Sequence, residues 1–181
     1  MFSFVASILA AGTEITIRHV CVQTDLPVLK DLFIREFFNS SPRSTISIED
    51  LRKIYTPIAL SPNADAYLAF ANDMALFVFE VHEAKYYDTY PGLPVEQGDW
   101  MVDLYITRHA LMEKVLYIEA LRTCIAECFH QPGLRALLLE PRYSGQYQWI
   151  KEFLITVGFR LWKKGSLTAG KEIYLLSKDT P

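Results

Sequence analysis

The stretch that most limits what this chain can fold into is Leu134–Leu139 (LRALLL), followed directly by Glu140. It is apolar apart from Arg135, and from Ala136 onward it shows no alternation of apolar and polar positions. A run this short, without alternation, marks a strand buried on both faces. Such a strand needs a sheet covered on two sides, so helical patterns should lie around it. Leu111–Phe129 ahead of it reads as the longest helix, with Val115, Ile118, Leu121, Ile125 and Cys128 or Phe129 as its buried stripe. Gln146–Val157 behind it reads as another helix, ended by Gly158 in a left-handed C-cap.

The rest of the chain continues the alternation. Glu14–Val22 (EITIRHVCV) has the period of a half-buried strand. Thr24 and Asp25 offer N-cap oxygens, Pro27 suits a first helical turn, and Leu26, Leu29, Leu32, Phe33 and Phe37 follow at helical spacing. A second helix is expected over Ile48–Tyr55, with Ser47 and Asp50 as a capping-box-like start and Pro57 just past its end. Ala66–Asn72 and Met74–Glu83 read as a hairpin turning at Asn72-Asp73. Asp99–Ile106 (DWMVDLYI), Phe159–Lys163 and Lys171–Leu176 read as further strands, with Lys163 and Lys164 at a solvated turn. The pattern predicts an α/β fold with a sheet of about seven strands and helices on both faces.

Hydrophobic residues make up 51% of the chain and charged residues 22%, which excludes intrinsic disorder. The net charge of -3 argues against nucleic acid or an anionic membrane as a partner. No apolar run reaches the ~18 residues of a membrane span. The start, Met1–Gly12, is apolar and ends in small residues, yet no Lys or Arg precedes it, unlike a secretory signal. It reads instead as an extension ahead of one domain over residues 13–181: an extra strand, a helix packed on the body or a start codon placed too early, and as a segment that in a homodimer would cover the sheet edge of a second subunit. Three cysteines fit a reducing compartment, so the expected location is the cytoplasm. Cys124 and Cys128 share a helix face, but no second ligand pair joins them. They read as small buried residues, and no metal is expected.

Phosphate-loop, dinucleotide and nucleophile-elbow motifs are all missing from the sequence. Asp103 lies in the middle of its strand, on the side of Met101 and Tyr105. Glu80 and His82 are two apart on another strand and so share a face. Glu140 ends the buried strand, at the carboxyl edge where open α/β sheets hold ligands. Carboxylates and an imidazole on neighbouring strands suit general-base chemistry. Cross-strand pairs and solvated strand ends are the plainer alternative. Tyr86, Tyr87, Tyr90, Trp100, Tyr105, Tyr143 and Tyr147 either rim such a cleft or simply pack.

The strand order, together with FEVHEAKYYDTY at Phe79–Tyr90, the phrase Gly98–Asp103 (GDWMVD), Glu140-Pro141-Arg142 and Gly158-Phe159, resembles the GNAT superfamily of acyl-CoA-dependent N-acyltransferases. It is closest to the branch that acylates hydroxylysine in siderophore assembly, and the likeness covers roughly Tyr67–Tyr174. The resemblance implies a mixed, mostly antiparallel sheet. It also implies an acyl group, most simply acetyl, carried from acetyl-CoA or another acyl-CoA to a small-molecule primary or hydroxylated amine by direct attack. Asp103 would be the base, helped by Glu140 or His82. The backbone of Leu104, Tyr105 and Ile106 would take the pantetheine arm, and Arg108, His109 and Lys114 the pyrophosphate. The chain departs from the family at four points. Asp103 stands where the branch has histidine, and Arg142 where it has aspartate. The cofactor loop Thr107–Lys114 (TRHALMEK) holds no glycine, and Phe153 or Leu154 falls where a proton-donating tyrosine often sits. Two further readings therefore stay open: a GNAT-like binding or regulatory domain that does not turn over acyl-CoA, and a small-molecule binder unrelated to CoA.

Overall fold

A computed structural model of the chain describes residues 4–35, 46–86, 94–107, 113–141, 148–164 and 172–178. In chain order the elements are β1 (Phe4–Ala10), β2 (Thr13–His19), α1 (Leu26–Arg35), α2 (Ile48–Leu60), β3 (Ala64–Ala71) and β4 (Met74–Glu83). After a short 3-10 turn at Ala84–Tyr86 come β5 (Asp99–Ile106), α3 (Lys114–Phe129), β6 (Ala136–Leu139), α4 (Gln148–Thr156), β7 (Arg160–Lys164) and β8 (Glu172–Ser177). The strands form one sheet in the order β1-β2-β3-β4-β5-β6-β8-β7. The β1–β2, β2–β3, β6–β8 and β7–β8 pairs are antiparallel, and β5–β6 is parallel. The eighth strand is the apolar start of the chain, which pairs with β2.

The chain divides into two compact units, Met1–Glu80 with Leu104–Glu127 and Val81–Asp103 with Cys128–Pro181. In the first, Leu26, Leu29, Leu32 and Phe33 bury the apolar face of α1 against Leu51, Tyr55 and Ile58 of α2 and against Leu68 and Val78. Each such side chain contributes about 1.5–3 kcal/mol by leaving water. Phe33 meets Tyr105 edge-on, with ring centroids 5.0 Å apart. Tyr105 is thus a core residue and not part of a cleft rim. Tyr87, Tyr90, Tyr143, Tyr147 and Phe37 lie outside the described residues.

Asp25, directly ahead of α1, is nearly fully buried. Its carboxylate accepts two hydrogen bonds from Arg18, at 2.5 and 2.9 Å, and one from the Cys21 amide at 2.7 Å. Burying a carboxylate is tolerable only with partners of this kind. The predicted cap of α2 is present, since Ser47 Oγ accepts from the Asp50 amide at 3.1 Å. The expected end of α2 at Tyr55 is not. The helix continues to Leu60 with Pro57 inside it. Pro57 lies in the last turn on an exposed face, so the carbonyl it leaves without an N–H donor is open to water.

On α3 the expected Leu121, Ile125 and Cys128 are buried, joined by Tyr117, Ala120 and Cys124, whereas Val115 is 61% exposed and Ile118 is partly buried. The seam follows i, i+4, i+7 and i+11 from Tyr117, so a stripe begun at Val115 joins the buried face only from Leu121 onward. Both cysteines are fully buried. Lys163 and Lys164 belong to β7 and not to a turn.

At the end of β2, His19 Nδ1 lies 2.9 Å from Asp65 Oδ1. That hydrogen bond raises the His19 pKa above 6.5, against the lowering effect of burial. A folded value above the unfolded one stabilises the fold fully below about pH 6.5, and the contribution fades as pH rises through the folded value. The urea midpoint of the native chain should therefore fall between about pH 6 and pH 8 relative to that of His19→Gln. Parallel profiles would remove His19 as the cause.

Candidate active site

Within the second unit the sheet is organised around β6, whose four residues are all buried. The parallel ladder pairs Asp99, Trp100, Met101 and Val102 with Ala136, Leu137, Leu138 and Leu139, and the last pair is Val102 with Leu139. β5 itself runs on to Ile106. Asp103 and Glu140 are the next residues on the two strands after that last pair. Both are partly buried, as is His82 near the end of β4. A carboxylate oxygen of Asp103 and a ring nitrogen of His82 lie within 4.8 Å of each other. Two of the three residues expected to carry chemistry are therefore neighbours, and the third follows at the carboxyl end of β6.

The start of β5 is held by an ion pair that the sequence reading did not single out. Asp99 is fully buried and accepts from Arg135 Nε at 2.9 Å, from a second Arg135 nitrogen at 2.8 Å and from the Glu96 amide at 2.9 Å. Gly98, at φ +88°, presents its carbonyl to the Arg135 amide at 2.7 Å. A Cβ on Gly98 would sit 2.3 Å from the Gly133 carbonyl oxygen, so only glycine fits. The Gly98-Asp99 phrase thus sets the register of β5 against the segment leading into β6. The sequence signal was the single charge, Arg135, in an otherwise apolar run.

In the first unit, Glu80 is 1% exposed and accepts a hydrogen bond from the Tyr55 phenol. Glu80 is therefore tied to α2, whereas His82, two residues on, is partly buried. Of the residues expected to hold a cofactor, Tyr105 and Ile106 are buried and Leu104 partly so. Lys114 is exposed as the first residue of α3, and Arg108 and His109 lie outside the described residues. The segment after β5 is anchored on both sides. The Thr107 amide donates to the Leu76 carbonyl at 3.1 Å, and the Thr107 and Tyr117 hydroxyls are hydrogen-bonded to each other. Burial pushes the Tyr117 phenol up to about 12, so it remains a neutral hydrogen-bonding group.

The sequence profile of the acetyltransferase (GNAT) domain matches residues 22–167. The chain belongs to the GNAT acetyltransferase family. No curated protein matches it in sequence. Solved structures similar to this GNAT chain include an uncharacterized protein from Bacillus halodurans, with TM-score 0.75 and 14% identity over 98% of this chain and 92% of that one. Another is the aminoglycoside acetyltransferase AAC(6')-Ib in complex with coenzyme A, with TM-score 0.72 and 16% identity over 92% and 96%. A third is RimL, a ribosomal α-N-protein acetyltransferase in complex with coenzyme A, with TM-score 0.70 and 13% identity over 99% and 100%. At these identities the likeness is one of fold. Among the described residues no helix is long and apolar enough to cross a membrane.

Proposed function

We propose that this GNAT chain is an N-acyltransferase that moves an acyl group, most simply acetyl, from acyl-CoA to a primary or hydroxylated amine of a small molecule. The hydroxylysine-acylating branch it resembles gives the acceptor class. The carrying observation is the proximity of Asp103 and His82 where β5 outruns its ladder with β6. Past that ladder, the backbone of Leu104, Tyr105 and Ile106 binds the pantetheine arm. The side chains of Arg108, His109 and Lys114 meet the pyrophosphate by charge, in place of the missing glycines. Lys114 stands in the first turn of α3, where the helix dipole adds to its attraction for phosphate. Asp103, with His82 or Glu140 as its helper, takes the proton from the amine. The amine nitrogen bonds to the thioester carbon, the C–S bond breaks, and the thiolate leaves with the sulfur.

A second reading has its own support. The stretch Thr107–Lys114 lacks glycine, and Phe153 and Leu154, at the position of the family's tyrosine, are buried hydrocarbon. On that reading the chain is a GNAT-like binding or regulatory domain without turnover.

A thermal-shift titration with acetyl-CoA, free CoA and desulfo-CoA separates the two. Acyltransferase function requires a saturable rise in melting temperature. At about 100 times the dissociation constant the added stability is ~2.7 kcal/mol. It also requires thiol release when acetyl-CoA is mixed with hydroxylated or plain amines. No shift up to millimolar acetyl-CoA overturns the enzymatic reading in favour of the second.

A further inference from the structure

We infer that a cleft walled by the β2–α1 turn and by α2 is a second ligand site, built for a small organic anion with a short apolar tail. Its volume is about 340 Å³, and its lining includes His19, Cys21, Val22, Arg52, Thr56 and Leu60. That size is near the lower end for small-molecule sites, which combine an apolar surface with a few converging polar groups. Arg52 supplies the anion-binding fork. Its side chain is 49% exposed and its guanidinium only loosely engaged, with Glu49 at 3.7 Å on the same helix. A planar carboxylate can take two parallel hydrogen bonds from such a group. His19 adds an imidazole whose Nδ1 is committed to Asp65. The Asp65 carboxylate offsets much of the His19 charge, so Arg52 dominates the attraction. Val22 and Leu60 offer hydrocarbon to the tail.

The cleft is distinct from the segment assigned to CoA. His19 pairs with Tyr67 at one end of the β2–β3 ladder, and Ile15 pairs with Ala71 at the other. β4 begins just past that second end, and it is there that the Thr107 amide reaches Leu76. A ligand beside His19 therefore lies at the opposite end of these strands from Thr107. The inference does not depend on the acyltransferase reading.

The cleft contains its own reporter. Cys21 is partly exposed, whereas Cys124 and Cys128 are fully buried. The Thr24 hydroxyl holds the Cys21 thiol below its usual pKa, which favours the reactive thiolate. Iodoacetamide labelling of the full chain, with the modified residue located by mass spectrometry, reads occupancy directly. Hexanoate is the probe, and hexylamine carries the same tail with the opposite charge. At about ten times its dissociation constant, hexanoate should slow Cys21 labelling about tenfold. Hexylamine should leave the rate unchanged. In Arg52→Ala the unprotected rate should persist while hexanoate protection disappears. Arg52 lies at the surface, so this variant retains the fold. Unaltered labelling in saturating hexanoate, or equal protection in Arg52→Ala, overturns the inference. Protection by hexylamine as well would reduce the cleft to a nonspecific apolar surface and overturn it equally.

Discussion

Replacing Asp103 by Asn should cut acyl transfer about 10²- to 10⁴-fold, the usual contribution of a positioned general base. The substitution keeps the size of the side chain and removes its capacity to take a proton. Asp103 is only partly buried, so the fold should survive the change. The acetyl-CoA melting shift should also survive, because the backbone and basic groups assigned to the cofactor are untouched. The loss should therefore fall on kcat and leave acyl-CoA binding alone. His82→Gln should cost less, because the imidazole assists the carboxylate and is not itself the proton acceptor. A preparation of Asp103→Asn that turns over at the native rate would remove Asp103 from the chemistry.

Truncation of a different aspartate should damage the fold and spare the chemistry. Asp99→Ala removes the acceptor for three donors, two on Arg135 and one on the Glu96 amide. Breaking a buried pair typically costs 3–5 kcal/mol, since the surviving charge has lost its partner. Arg135 is 41% exposed and also has Glu96 at 3.2 Å, so it regains some solvation. The expected loss is about 2–4 kcal/mol, read as a lower urea midpoint with an unchanged m-value. Asp99→Asn, which keeps one acceptor, should lose about half as much. Turnover per folded molecule should be unaltered in both. A loss below about 1 kcal/mol for the alanine variant would mean that the pair adds little.

What was legible in the sequence and what was not divides along physical lines. The strand within Glu14–Val22 and the turn at Asn72-Asp73 were readable because alternation and turn chemistry are local properties. Asn72 adopts φ +51°, a conformation that asparagine tolerates better than most residues. α2 was misread because Pro57 signals a helix end, and only the exposure of that turn shows why the helix survives it. The α3 stripe was read correctly at Leu121, Ile125 and Cys128 and misread at Val115, because apolar residues surround the helix and the partner surface decides which of them are buried. At the site, Asp103, His82 and Glu140 stood out as ionisable groups in apolar strands. The partners of Glu80 and Asp99 did not, since Tyr55 and Arg135 are distant in sequence and meet them only through the fold.

The parallel pairing of β5 with β6 also has a kinetic consequence. β1 and β2 are joined by a turn of two residues and can zip as a local hairpin. β6 has no such neighbour. Its register partners are Asp99–Val102, on the far side of α3, and Leu176 and the residues around it, on the far side of α4. Two long loops must close before a four-residue strand gains both its ladders, and loop closure of that kind slows folding. Consolidation of the middle of the sheet should therefore trail the hairpins, so that Asp103 and Glu140 reach their positions among the last events of folding.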